Sequence, residues 1–321
     1  MAHELRETVL EGLGALELRS VDREIALTLV PGAGMIGASL THDGRELLHR
    51  ADGSLAAWTE HGKTFGIPLL HPWANRLERL NYEAAGRHVL LDPETMPVTF
   101  DGAGLPIHGL LHASRRWEVR HTHADAGGAT VAAHYDAAGD EPLLAGFPFP
   151  HAIDLTVSLA TDLLTFSLTL TATGDVPVPV SFGWHPYLRL PGIPRTTWQL
   201  TLPLVREALL DGRSIPTGQT RPAPFTAGPL ANRSFDDLFP LLSEPAEFVL
   251  AGGGGALRLR FDEGYRCAQV YSPPGADFIC FEPMTAPTDA LRRGGAGLQL
   301  VAPGEALTAS WSLLVEGRPG A

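Results

Sequence analysis

The stretch Ala152-Ile153-Asp154-Leu155-Thr156-Val157-Ser158-Leu159-Ala160 decides the fold class. Ile153, Leu155, Val157 and Leu159 fall on one face of an extended chain, and Asp154, Thr156 and Ser158 fall on the other. Strict alternation of this kind marks a strand with one face buried. Leu163 to Thr171 follows after a short break, and Glu24 to Val30 and Leu257 to Phe261 have strand character too. Glycine and proline, 35 and 27 of them, cut the chain into short segments, and helical periodicity is scarce. The run Ala251-Gly252-Gly253-Gly254-Gly255 before Leu257-Arg258-Leu259-Arg260-Phe261 reads as a hairpin turn, not as a phosphate loop. No linker-like segment and no fixed-period repeat interrupts the pattern. The expectation is all-β: residues 1–321 as a single large antiparallel β-sandwich domain with few short helices.

Composition narrows the partners. With 321 residues, 44% hydrophobic and 19% charged, the chain can bury a large core and is not disordered. A formal charge of −12 argues against nucleic acid or an anionic membrane surface as partner, since both require concentrated Lys and Arg. Met1 to Gly14 has scattered charges and no apolar run ending in a cleavage site, and nowhere do 18 apolar residues follow one another; the expected location is cytoplasmic. Cys267 and Cys280 both sit in apolar strand-like runs, so buried thiols are expected and not a disulfide framework.

Several motifs fail on inspection. Gly62-Lys63-Thr64 ends like a nucleotide-binding loop, but the glycine required five residues earlier is Ala57. His121 and His123 share a strand face without a third ligand at recognisable spacing, so no metal site is expected there. Asn232-Arg233-Ser234 is a formal glycosylation signal, set aside because no secretion signal accompanies it.

The surviving candidates are polar residues in unusual local sequence: Asn75-Arg76, Ile107-His108-Gly109, Phe182-Gly183-Trp184-His185-Pro186-Tyr187, Phe235-Asp236-Asp237 and Phe281-Glu282-Pro283. Aromatic faces pack on sugar C–H surfaces while polar heads reach hydroxyls. Arg76 can fork hydrogen bonds to vicinal hydroxyls or to a carboxylate, and it can equally tie a loop to an acidic neighbour. The Asp236-Asp237 pair suits a hydroxyl acceptor or an ordinary turn.

In their order and spacing these words resemble the aldose 1-epimerase (mutarotase) family, across most of the chain. The resemblance implies a galactose mutarotase-like supersandwich that holds a free aldohexose, of the glucose or galactose type, on one concave sheet face and interconverts its α and β anomers. It implies Glu282 as general base, His185 as general acid, His108 as a second histidine near the ring oxygen, and Arg76, Asn75 and Asp236 as sugar-binding residues; Trp184, or else Phe281 or Trp73, is expected to wall the cleft and cover the sugar's apolar face. No metal or other cofactor is required, and the protein would act as a monomer or homodimer. Two departures bear on the sugar more than on the reaction. Glu282 is followed by Pro283-Met284-Thr285 instead of the family's common Thr-Gln, and His71-Pro72-Trp73 leads into Asn75-Arg76.

The residue types fit that chemistry on their own. Anomerisation needs a proton taken from the anomeric hydroxyl and one given to the ring oxygen, so Glu282 and His185 are expected to face each other across a space the size of one pyranose ring. A carboxylate with an ordinary pKa of about 4.3 and a histidine near about 6.5 can do this at neutral pH. Two alternatives stay open at this stage. A hexose-6-phosphate mutarotase would add cations such as Lys63, Arg79, Arg115, Arg116 or Arg189, and a non-catalytic sugar-binding module could use the same fold.

Overall fold

A computed structural model describes residues 2–50, 53–241 and 243–317. It is built of antiparallel strands, with three short α-helices among the described residues, Leu55–His61, Glu141–Gly146 and Ala290–Arg293. The expected strands form: Ile25–Val30, His151–Ala160, Leu163–Ala172 and Gly255–Glu263. The glycine run is the predicted hairpin, joining Ala246–Gly252 to Gly255–Glu263 through Gly253 and Gly254, both at positive φ.

The larger sheet has nine strands, with Glu118–Ala124, Ala129–Asp136, His151–Ala160, Leu163–Ala172, Ala306–Gly317, Gly255–Glu263 and Ala246–Gly252 as its first seven. Ile153, Leu155, Val157 and Leu159 stand opposite Leu170, Leu168, Phe166 and Leu164, and all eight are buried. A one-residue slip would turn the first four to solvent. At about 1.5–3 kcal/mol for each buried aliphatic side chain, that slip costs about 6–12 kcal/mol, so the alternation fixes the register.

A second sheet runs Phe235–Pro240, Cys267–Ser272, Ile279–Met284, Gly183–Trp184 and Leu69–Leu70, with Tyr187–Leu188 also paired to Ile279–Met284. Its inner face supplies Phe235, Phe239, Ala268, Val270, Phe281 and Trp184 to the main core. There Phe166 lies flat on Trp311 at 4.4 Å, Trp184 meets both edge-on at 5.3 and 6.0 Å, and Phe281 packs on Phe248 at 5.3 Å. Five N-terminal strands form a further sheet.

The helix Leu55–His61 is delimited by its ends. The Ser54 side chain accepts the Ala57 N–H at 3.0 Å, and Gly62 closes the helix at φ 62°. Trp58 anchors it through an indole N–H to Ala33 O at 2.9 Å. The chain then turns to present Thr64 to the outer face of the second sheet. Both cysteines are free and buried, as expected. No helix among the described residues is long and apolar enough to cross a membrane.

Candidate active site

Strand alternation sends successive residues of the second sheet to opposite faces. While Trp184 and Phe281 enter the core, His185 and Glu282 emerge on the outer face. The register that sets Gly183 against Met284 and Tyr187 against Cys280 brings His185 level with Glu282. His185 Nε2 lies 3.2 Å from Glu282 Oε1. Gly183 is required for this approach, because a Cβ there would stand 2.7 Å from the Pro283 carbonyl oxygen and 2.9 Å from Ala74 Cβ.

These two side chains lie at the bottom of a cavity of about 250 Å³, walled by Asn75, Arg76, Asp101, His108, Tyr187, Asp236, Gln269 and Tyr271, with Thr64 at its edge. Six of the seven sequence candidates meet here: Asn75, Arg76, His108, His185, Asp236 and Glu282. Trp184 does not. It is 1% exposed and packs between the sheets, because the residue before a pocket-facing histidine on a strand must face the core. Phe281 and Trp73 are likewise buried in the main core. The aromatic walls are instead Tyr187, stacked on His185 at 4.4 Å and 10°, and Tyr271, edge-on to His185 at 5.9 Å. Tyr187 is held by its hydroxyl, 2.5 Å from Thr64 Oγ1. Of the acidic pair, Asp236 faces the cavity; Asp237, next along the strand, lines a different hollow with Glu207 and Arg221.

Arg76 is fully engaged. Its Nε–H donates to Asp101 Oδ2 at 2.7 Å, Nη2 to Asp236 Oδ2 at 3.3 Å and Nη1 to Asn75 Oδ1 at 3.1 Å. Gln269 steadies Asp236 by donating to its Oδ1 at 2.8 Å. Burial opposes the charge on Arg76, but the two carboxylates outweigh it and the pKa is raised. Asp101 sits on the hairpin between Thr99–Phe100 and Pro106–Ile107, where it also accepts the backbone N–H groups of Ala103 and Leu105. Asp289, at the end of the divergent segment after Glu282, is buried. Its N–H donates to Arg76 O and its carboxylate accepts the Glu78 N–H, so it anchors the loop that carries Arg76.

His108 and Asn75 both adopt the left-handed backbone conformation, at φ 65° and 58°, and the His108 N–H donates to Asn75 O at 3.0 Å. Gly109 follows at φ 72°, with its Cα so close to His71 that a Cβ would fall 2.2 Å from the carbonyl oxygen. This geometry aims the His108 ring edge-on at His185, 5.4 Å away.

Burial governs the protonation of the pair. His185 is pushed down to about 3, chiefly by desolvation, with Arg76 adding to the effect. Glu282 is pushed well above the usual carboxylate range by desolvation and then by Asp236, against the opposing pull of Arg76. His108 is lowered by desolvation and by the neighbouring His185. The favoured arrangement is a neutral histidine beside a protonated carboxyl, two adjacent groups with one transferable proton between them. They touch directly instead of facing each other across the width of a sugar ring, the separation expected from the sequence, because the sheet register makes them cross-strand neighbours.

Asp101, Gln269, Tyr187, Tyr271 and Thr64 are the lining residues that sequence reasoning did not assign. Tyr187 was legible in the His-Pro-Tyr word, and Gln269 as a polar residue in an otherwise apolar strand. Asp101 carried only a turn signal.

The sequence pattern of the aldose 1-epimerase family matches residues 32–313, and the chain belongs to that family. It is 28% identical over 269 residues to YphB of Escherichia coli K12, a protein described as uncharacterised, with 78% of this chain and 83% of that protein covered. Among solved structures it is similar to a galactose mutarotase-like protein from Clostridium acetobutylicum, with a TM-score of 0.84, 17% identity and 98% and 99% of the two chains covered. It is also similar to galactose 1-epimerase from Lactobacillus acidophilus, with a TM-score of 0.75, 14% identity and the same coverage. The fold is galactose mutarotase-like.

Proposed function

We propose that the protein interconverts the α and β anomers of a free aldohexose by general acid/base ring opening. The observation that carries this reading is the 3.2 Å contact of His185 with Glu282 on the floor of a sugar-sized pocket. In the closed-ring complex Glu282 as carboxylate takes the proton from the anomeric hydroxyl while His185 as imidazolium gives its proton to the ring oxygen. The C1–ring oxygen bond breaks, C1 becomes an aldehyde, and the pair is left neutral. That neutral form is the one burial favours, so the site is matched to the open-chain sugar. Rotation about C1–C2 and reversal of the two transfers give the other anomer, with no net change in protons or electrons. Each positioned group is typically worth about 10²- to 10⁴-fold. His108 supports the ring-oxygen side, and Arg76, Asn75 and Asp236 bind hydroxyls while Tyr187 and Tyr271 cover the sugar's apolar face.

A phosphorylated hexose fits less well. Among the described residues Arg76 is the only Lys or Arg lining the pocket, and its nitrogens already donate to two carboxylates and an amide. Arg189 pairs with Asp277, and Arg115 and Arg116 line a different hollow. A purely binding module has no use for a buried Glu–His pair, which costs desolvation free energy without contacting more of the sugar than an amide would. Polarimetry of freshly dissolved α-glucose, α-galactose and glucose 6-phosphate tests the reading. We expect acceleration for at least one free sugar and little for the phosphate; unchanged rates for every free aldose would refute it.

A further inference from the structure

Beneath the acid–base pair lies a third side chain that the proposed reaction does not use. Cys280 is two residues before Glu282 on the same strand and opposite Tyr187, so its sulfur shares a face with His185 and Glu282. The ligand atoms of His185, Cys280 and Glu282 all lie within 4.8 Å of one another. Cys280 is a free thiol with no exposure. Glu282 is 1% exposed, and its second oxygen, Oε2, is buried without a hydrogen-bond partner.

We propose that the pocket floor is a binding site for a soft divalent cation of the Zn²⁺ type, held by His185 Nε2, the Cys280 thiolate and the Glu282 carboxylate, and that an ion bound there blocks anomerisation. Zinc bonds of about 2.0–2.3 Å in tetrahedral geometry imply ligand–ligand separations of roughly 3.3–3.8 Å. The His185–Glu282 pair, at 3.2 Å, is close to that spacing, and the remaining sides, at most 4.8 Å, need a contraction of no more than about 1.5 Å. One thiolate and one carboxylate cancel the 2+ charge, so the complex is neutral where burial penalises net charge most. The mixed sulfur, nitrogen and oxygen set suits zinc better than calcium or magnesium, which require oxygen ligands.

The ion binds the thiolate and the carboxylate, so any proton that either group carries leaves for water, with no change of oxidation state. Apparent affinity should therefore rise with pH. Blocking follows because the lone pairs needed at His185 and Glu282 are held in metal bonds; this part rests on the proposed function, whereas the binding itself does not.

The test uses chelator-treated full-length protein, titrated with Co²⁺ by absorption spectroscopy and with Zn²⁺ by calorimetry. We expect one ion per chain, a thiolate-to-cobalt charge-transfer band, and proton release on binding. Cys280→Ser should abolish the band and weaken Zn²⁺ binding by more than the 10- to 100-fold typical of outer-shell changes, while Cys267→Ser leaves both intact. Glu282→Gln, a second variant should Cys280→Ser fail to fold, should keep the band and weaken binding by at least about 10-fold. No band in the wild type, or a band that survives Cys280→Ser, overturns the site. Zinc binding as described in a protein without mutarotase activity would sink the functional reading and leave the site standing, and activity indifferent to saturating Zn²⁺ would overturn the block while leaving both the binding site and the functional reading.

Discussion

Glu282→Gln tests catalysis and folding together, because the geometry demands that it move them in opposite directions. The amide keeps the volume and can still hydrogen-bond His185 Nε2 across the 3.2 Å contact, but it cannot accept the anomeric proton. The catalytic rate constant should fall by about 10²- to 10⁴-fold. Stability should rise. Burial lifts the Glu282 carboxyl well above its ordinary value of 4.5, so between that value and the folded pKa the folded state holds a proton that the unfolded state has released. The sign follows from linkage: where the native state binds more protons, stability falls as pH rises. In the wild type this loss begins near pH 4.5 and continues up to the folded pKa, at up to about 1.4 kcal/mol per pH unit. Gln removes the penalty. Its stability advantage over the wild type should therefore be larger at pH 6.5 than at pH 5. Mutarotation would be followed by polarimetry, and stability by urea unfolding at pH 5 and pH 6.5. Near-normal activity would refute the assignment of the base. A variant no more stable than wild type at pH 6.5 would mean that Glu282 is ionised in the folded protein, paired with an imidazolium, and that burial does not control the pair.

Other outcomes follow from particular contacts. His185→Asn should lower kcat far more than it raises KM, since its proton is needed mainly in the transition state; steady-state kinetics showing a KM effect alone would demote it to a binding residue. Gly183→Ala should destabilise the fold by about 1–3 kcal/mol through the clash with Pro283 O and Ala74 and weaken activity by disturbing the strand that carries His185, and an unchanged urea midpoint would contradict it. The buried pair His71 and His151, joined Nε2 to Nε2 at 2.9 Å, is held neutral by desolvation, His151 at about 4 and His71 well below its usual value. Here the unfolded state binds more protons, so this contribution is complete above about pH 6.5 and is lost as pH falls toward 4, at up to about 1.4 kcal/mol per histidine per unit. Replacing His151 with Gln should flatten that part of the acid-unfolding profile, and a profile as steep as wild type would count against it.

Much of this architecture was readable from short words. The alternation at 152–160 and 163–171 placed two central strands to within a residue, because a half-buried strand must repeat every two positions. The polar candidates converged because each stands in a local context that a plain core strand does not produce: a histidine between Ile107 and a glycine, a glutamate between Phe281 and Pro283. Trp184 was misassigned by chemistry where parity would have been the better guide, since a strand cannot send neighbours 184 and 185 into one pocket. The direct contact between His185 and Glu282 depends on register between segments almost a hundred positions apart, and no local pattern encodes register at that range. Asp101 was invisible for a related reason: its role exists only once the hairpin at 99–107 folds back onto Arg76.

Of the eleven non-glycine residues at positive φ among the described residues, three bear on the pocket. Asn75, His108 and Asp289 occupy the left-handed region at φ 58°, 65° and 67°, and each such non-glycine residue costs on the order of 1 kcal/mol. They are linked, not scattered. The His108 N–H donates to Asn75 O, and the Asp289 N–H donates to Arg76 O. Asp289 is further tied by Arg292 and Arg293, which donate to its carboxylate at 3.4 and 3.1 Å. Three loops from distant parts of the chain thus lock one another in unfavourable conformations around the guanidinium of Arg76 and the ring of His108. Relaxing any one of them would swing a polar group out of the cavity, so the strain positions the site, and the buried sheet beneath, with Trp184 and Phe281 on its inner face, supplies the stability that holds it.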